Sequence, residues 1–148
     1  TVMSFGLVDV KCPVDSKMPG LQTALADGSE AVQLDPRLGR LPTEKLIVKK
    51  HASSFKGTNL HEMLSALKVD TLIVTGCSTS HCVYETCDDA ATAFHVIVPE
   101  GTVGDRCEIF HLLELMDIDL TLGDVVALEE VVSYIRGVGL KRRASKGS

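Results

Sequence analysis

From Lys45 to the end of the chain, short runs of β-branched and aliphatic residues alternate with longer amphipathic segments, and that alternation leaves few folds open. A strand, a helix-length segment and a further strand require a crossover, so successive strands run parallel and helices cover the sheet. Lys45–Lys49 (KLIVK) reads as a strand. Residues 58–68 place Leu60, Met63, Leu64 and Leu67 at helical spacing, with Thr58 as N-cap and Gly57 as the break before it. Residues 70–75 (DTLIVT) form a continuous apolar run, the pattern of a central strand buried on both faces, and Gly76 ends it. Residues 80–93 then read as a helix with Val83 and Ala90 on its inner face, and His95–Pro99 as the next strand. A helix over 107–117, a weak strand over 120–126 and a closing helix over 128–135 that stops at Gly137 complete the series. The expected fold class is α/β, a three-layer α/β/α sandwich on a mainly parallel sheet.

The first 40 residues differ, because Pro13, Pro19, Gly20, Gly28, Pro36 and Gly39 break them into pieces too short for a long helix. Only residues 5–10 are strand-like there. At 148 residues the chain has room for one domain over 1–148, and its 45% hydrophobic content suffices for one core. The basic cluster Lys141, Arg142 and Arg143 opens a tail, 141–148, expected to be disordered. A formal charge of −5 argues against nucleic acid as a partner, and no apolar stretch approaches the ~20 residues of a membrane span. Five cysteines, an odd number without regular spacing, read as reduced thiols of a cytoplasmic protein rather than a disulfide framework.

One of those thiols sits where chemistry is expected. Residues 75–83 (TGCSTSHCV) join an apolar strand to a helix, which places Cys82 in the first helical turn at the carboxyl edge of the sheet, where parallel α/β proteins hold ligands. Unpaired N–H groups and the helix dipole there favour a thiolate, the nucleophilic form of cysteine. A buried structural thiol would fit the same position, since cysteine is among the most buried residue types. Position alone leaves both readings open.

The motifs go further. K-x-x-A-S-x-F-x-G-T-x-L (residues 49–60), D-T-L-I-V-T-G (70–76), C-V-x-x-T-x-x-D-A (82–90) and G-D-R (104–106), followed by D-I-D and G-D-V, resemble in order and spacing the isochorismatase-like cysteine hydrolases, and within them the N-carbamoylsarcosine amidase-like branch. The resemblance covers about residues 17–136. It implies an Asp, Lys and Cys triad and maps the nucleophile to Cys82 and the lysine to Lys49, whose positive charge would favour the thiolate. It further implies a cis peptide bond between Cys77 and Ser78, an oxyanion hole formed by the Ser78 and Cys82 N–H groups, and an arginine for a substrate carboxylate at Arg106. The plain alternative for Arg106 is a salt bridge to Asp105 or Glu108. His81 is not expected to be the base, because sequence neighbours on a helix point about 100° apart. The metal-binding nicotinamidase branch carries histidines upstream of its lysine, and none precedes His51 here, so neither metal nor cofactor is expected.

The family aspartate ends the first strand of the domain, and F-G-L-V-D-V (residues 5–10) has that form, which maps it to Asp9. Only 40 residues separate Asp9 from Lys49, whereas the family pattern places a crossover helix and a second strand between them. Either a block is deleted after a true first strand, or the first unit is missing and Asp9 is incidental. On both readings the fold is incomplete at its N-terminal side. The activity implied is cysteine-dependent hydrolysis of non-peptide C–N bonds in small amide or carbamoyl compounds through a thioester, by a homo-oligomer (dimer or tetramer). The rivals are a vinyl ether hydrolase of isochorismatase type and an inactive member kept for self-association or binding.

Overall fold

The runs marked as strands do pair, and every pairing is parallel. The computed structural model describes residues 5–9 and 28–144, with side chains for 28–138. Strand β1 (Phe5–Asp9) lies beside β2 (Lys45–Lys49) in a register that sets Phe5 against Lys45 and Asp9 against Lys49. Strands β3 (Thr71–Ile73), β5 (His95–Pro99) and β7 (Asp124–Val126) form a second sheet with β5 in the middle, and β4 (Gly76–Cys77) pairs with β6 (Val103–Gly104). This is an α/β architecture with parallel sheets.

Helix α1 (Leu60–Ala66) has Asn59, not the expected Thr58, at its N-cap position; the Leu60 N–H donates to Thr58 Oγ1 at 3.2 Å from the turn before it. Helix α2 (Tyr84–Ala91) buries Cys87 and Ala90, and Val83 just ahead of it, against β5, whose Val96 and Val98 are fully buried. Helix α3 (Glu108–Asp117) adds Leu115, and Ile118 after it closes the same core. Burial of each such Val, Leu or Ile side chain contributes about 1.5–3 kcal/mol before the entropy of ordering it is subtracted. Gly123 is required by close approach: a Cβ there would run into the Val96 carbonyl.

Two expectations need correction. Residues 70–75 are not the central strand: only Thr71–Ile73 is strand, it edges the described sheet, and Ile73 remains 38% exposed while β5 takes the centre. An apolar run reports what lies above and below a strand and says nothing of what pairs with its edges. The closing helix α4 (Leu128–Ala144) does not stop at Gly137 but runs through it, and 141–144 form its last turn rather than the start of a disordered tail. Gly costs only about 1 kcal/mol against Ala inside a helix, less than the surrounding helix formers supply. Residues 145–148 lie outside the described residues. No described helix is long and apolar enough to cross a membrane.

Candidate active site

The apolar run of β3 leads through Gly76, whose φ of 119° suits glycine, into the segment that carries Cys82. The Cys77–Ser78 peptide bond is cis, as the motif implies. The next residues, Thr79–Val83, do not form the expected first turn of an α-helix; they wind as a π-helical turn, with the Val83 N–H donating to the Ser78 carbonyl at 3.1 Å. Such one-turn π segments are frequent at functional sites. Helix α2 continues directly from it, and Cys82 stands half-buried within it at the carboxyl side of the sheet.

Lys49 ends β2 with only 5% of its surface exposed. Its Nζ donates to the His51 carbonyl at 2.9 Å and the Ala52 carbonyl at 3.0 Å, and it lies 3.6 Å from Cys82 Sγ. A buried amino group needs acceptors for its N–H bonds, and the two carbonyls and the Cys82 sulfur are among those within reach. The adjacent Lys50 is exposed. Asp9 has its backbone in register with Lys49, at the same level of the neighbouring strand. The 40-residue interval therefore does not keep the two strand ends apart. The Asp9 side chain lies outside the described residues.

Sequence reasoning missed the network that holds this corner together. The Thr86 hydroxyl donates to the Cys82 carbonyl at 2.6 Å and accepts from the Ser54 N–H at 3.1 Å, while Ser53 Oγ donates to Asp89 Oδ2 at 2.5 Å. The loop after Lys49 is thus stitched to α2 across 32 to 36 residues of sequence. The signal was available: Cys82, Thr86 and Asp89 stand at i, i+4 and i+7, one helical face, and the other motif supplies Ser53. Thr79, fully buried, pairs through Oγ1 with His111 Nδ1 at 2.8 Å. Asp105 makes no ion pair with the Arg106 side chain among the described residues; its Oδ2 takes the Ser80 N–H at 2.8 Å and the Ser80 hydroxyl at 2.6 Å. Those bonds, the hydroxyl's first, hold the Asp105 carboxyl below the usual aspartate range. Arg106 is exposed and makes no ion pair among the described residues, so the surface salt bridge to Asp105 or Glu108 is not formed.

The remaining candidates separate cleanly. His81 turns to Glu85, with Nδ1 3.3 Å from Oε1, on the exposed side of its helix. Cys87 is fully buried, which pushes its thiol up to about 12, whereas Cys77 is exposed and Cys107 half-buried; Cys12 lies outside the described residues. No group of three or more His, Cys, Asp or Glu is placed to hold a metal among the described residues. A groove of about 600 Å³ opens at the opposite, amino edge of the sheet beside Asp70, His95, Asp119 and Asp124.

A family model described as the Isochorismatase domain matches residues 13–130. The chain belongs to the isochorismatase family. Among its relatives, N-carbamoylsarcosine amidase of an Arthrobacter species is 42% identical over 121 residues, covering 81% of this chain and 45% of that protein. Maleamate amidohydrolase of Pseudomonas putida is 39% identical over 94 residues, 63% of this chain and 44% of that protein. The chain therefore spans less than half the length of either relative. Among solved structures, a cysteine hydrolase from Pseudomonas syringae superposes with a TM-score of 0.82 at 22% identity, over 92% of this chain and 73% of that one. A nicotinamidase/pyrazinamidase from Bacillus subtilis gives 0.70 at 24% identity, over 84% and 74%. These two show the isochorismatase-like fold.

Proposed function

We propose that this chain hydrolyses non-peptide C–N bonds in small amide or carbamoyl compounds, with Cys82 as nucleophile. The carrying observation is the buried Lys49 amino group 3.6 Å from Cys82 Sγ, at a turn held by Asp105 and Thr86. The two amidohydrolase relatives support the substrate class. In this scheme the Cys82 thiolate attacks the carbonyl carbon, forming the C–S bond and moving the C=O electron pair to oxygen. The Ser78 and Cys82 N–H groups receive that charge. Collapse breaks the C–N bond, and the leaving ammonia or amine takes the proton held by Asp9, in register beside Lys49. Water, giving its proton back to Asp9, then attacks the thioester, releases the acid and regenerates Cys82. No metal or cofactor is needed. Arg106, exposed and unpaired among the described residues, serves an anionic group on the substrate. The chain acts as a homo-oligomer, a state supported by the exposed apolar side chains of Ile109, Phe110, Leu112 and Met116 on α3.

The test is ammonia release from maleamate and N-carbamoylsarcosine, with mass spectrometry of the quenched enzyme. The expected result is turnover in the wild type, an acyl adduct on Cys82, and neither in Cys82→Ser. Turnover that survives Cys82→Ser, or proceeds without an adduct on a vinyl ether instead, would refute the reading.

A further inference from the structure

Asp105 lies between β6 and α3, and each of its oxygens does something different. Oδ1 accepts the Cys107 N–H at 3.3 Å, an ordinary local turn at the start of a helix. Oδ2 reaches across 25 residues of sequence to Ser80 and takes both its N–H and its O–H. Two bonds from one carboxylate oxygen fix the backbone and the side chain of Ser80 together, and a charged acceptor makes such bonds roughly twice as strong as neutral ones. Ser80 is the middle residue between Ser78 and Cys82. The turn is then held at three points: Cys77 pairs with Gly104 just before it, Asp105 grips its middle, and Thr86 holds the Cys82 carbonyl at its end. Of the three anchors, Asp105 is the one adjacent to Arg106.

We infer that Asp105 is a positioning residue for the hydrolysis: by gripping Ser80 it sets the turn that presents Cys82 and the Ser78 N–H, and it ties that turn to the Arg106 loop. The inference rests on the reading of Cys82 as nucleophile. Its consequence is a split between rate and binding, because misplacing the turn by about 1 Å costs on the order of 10²-fold in the chemical step without touching the group that binds substrate.

The experiment compares Asp105→Ala, Asp105→Asn and Ser80→Ala with the wild type in three readouts: kcat and KM for an acidic amide, the rate of Cys82 alkylation by iodoacetamide, and the urea midpoint. Asp105→Ala should lower kcat about 10- to 100-fold with KM within about threefold, and slow alkylation several-fold. Asp105→Asn, whose amide oxygen accepts the same two bonds, should recover most of both losses. Should Asp105→Ala fail to fold, Ser80→Ala, which removes only the hydroxyl bond, carries the same test at smaller amplitude. If kcat and alkylation stay within about twofold of wild type in the folded variants, or fall only in step with the urea midpoint, the positioning role is overturned. Alkylation needs no turnover, so a wild type that reacts at Cys82 yet releases no ammonia would sink the hydrolase reading and still leave Asp105 testable.

Discussion

The two ends of the sheet are both polar, yet they are built differently. At the carboxyl edge, side-chain hydrogen bonds join residues 25 to 36 apart: Ser80 to Asp105, Ser54 to Thr86, Lys49 to Cys82, Ser53 to Asp89. At the amino edge, where a groove of about 600 Å³ lies, they stay local: Thr71 donates to its neighbour Asp70, and the Val125 N–H to Asp119 six residues away. Local bonds serve turns, whereas long-range bonds between buried or half-buried groups fix side chains of separate elements against one another. Fixed geometry is what a reacting centre needs, and groove volume alone is a poor guide to it.

That contrast is most exposed to refutation at Lys49. Lys49→Met keeps the bulk and removes the charge, and should lower kcat/KM by about 10²- to 10⁴-fold. Asp119→Asn in the amino-edge groove should stay within about twofold. Comparable losses in the two variants, measured by ammonia release, would erase the distinction between the edges.

A smaller effect is expected at Thr86, where the buried hydroxyl serves two partners. Thr86→Val should destabilise by about 1–3 kcal/mol through the unpaired Ser54 N–H and the lost bond to the Cys82 carbonyl, while Thr86→Ser restores most of it. Urea unfolding of both checks this, and equal losses would show that the methyl matters and the stitch does not. Arg106→Ala should raise KM for acidic amides far more than for neutral ones, without a comparable change in kcat. Equal changes would detach Arg106 from the substrate.

The smallest effect is a pH dependence. Asp105 is held below its usual range, so its hold on Ser80 contributes fully above the unfolded carboxylate value near ~3.9 and is lost as pH falls through the lower folded value. Thermal scans should show the gap between wild type and Asp105→Ala shrinking below about pH 4 and constant above pH 6. A gap that widens in acid would mean that the neutral carboxyl makes the important bonds.

The strands at 45–49 and 95–99, the helices at 60–66 and 108–117, and the placement of Cys82 next to Lys49 were legible in the sequence, because period and motif spacing are local or ordered signals. The edge position of β3 was not, since pairing partners leave no trace in the strand itself. Nor was the π turn, because a change from four to five residues per hydrogen bond alters no residue type. The Asp105–Ser80 bond was hidden for another reason: next to Arg106 in sequence, Asp105 invites a local ion pair, and only the approach of β4 to β6 supplies the competing donors.

Thiol mapping in the folded chain at neutral pH tests the central claim most directly, because it reads the nucleophile without assuming a substrate. Iodoacetamide followed residue by residue should modify Cys82 first, Cys77 and Cys107 later although Cys77 is exposed, and Cys87 last, since burial holds its thiol up to about 12. Lys49→Met should slow Cys82 and leave the order of the others unchanged. Cys77 or Cys107 reacting ahead of Cys82, or a Cys82 rate indifferent to Lys49, would contradict the account.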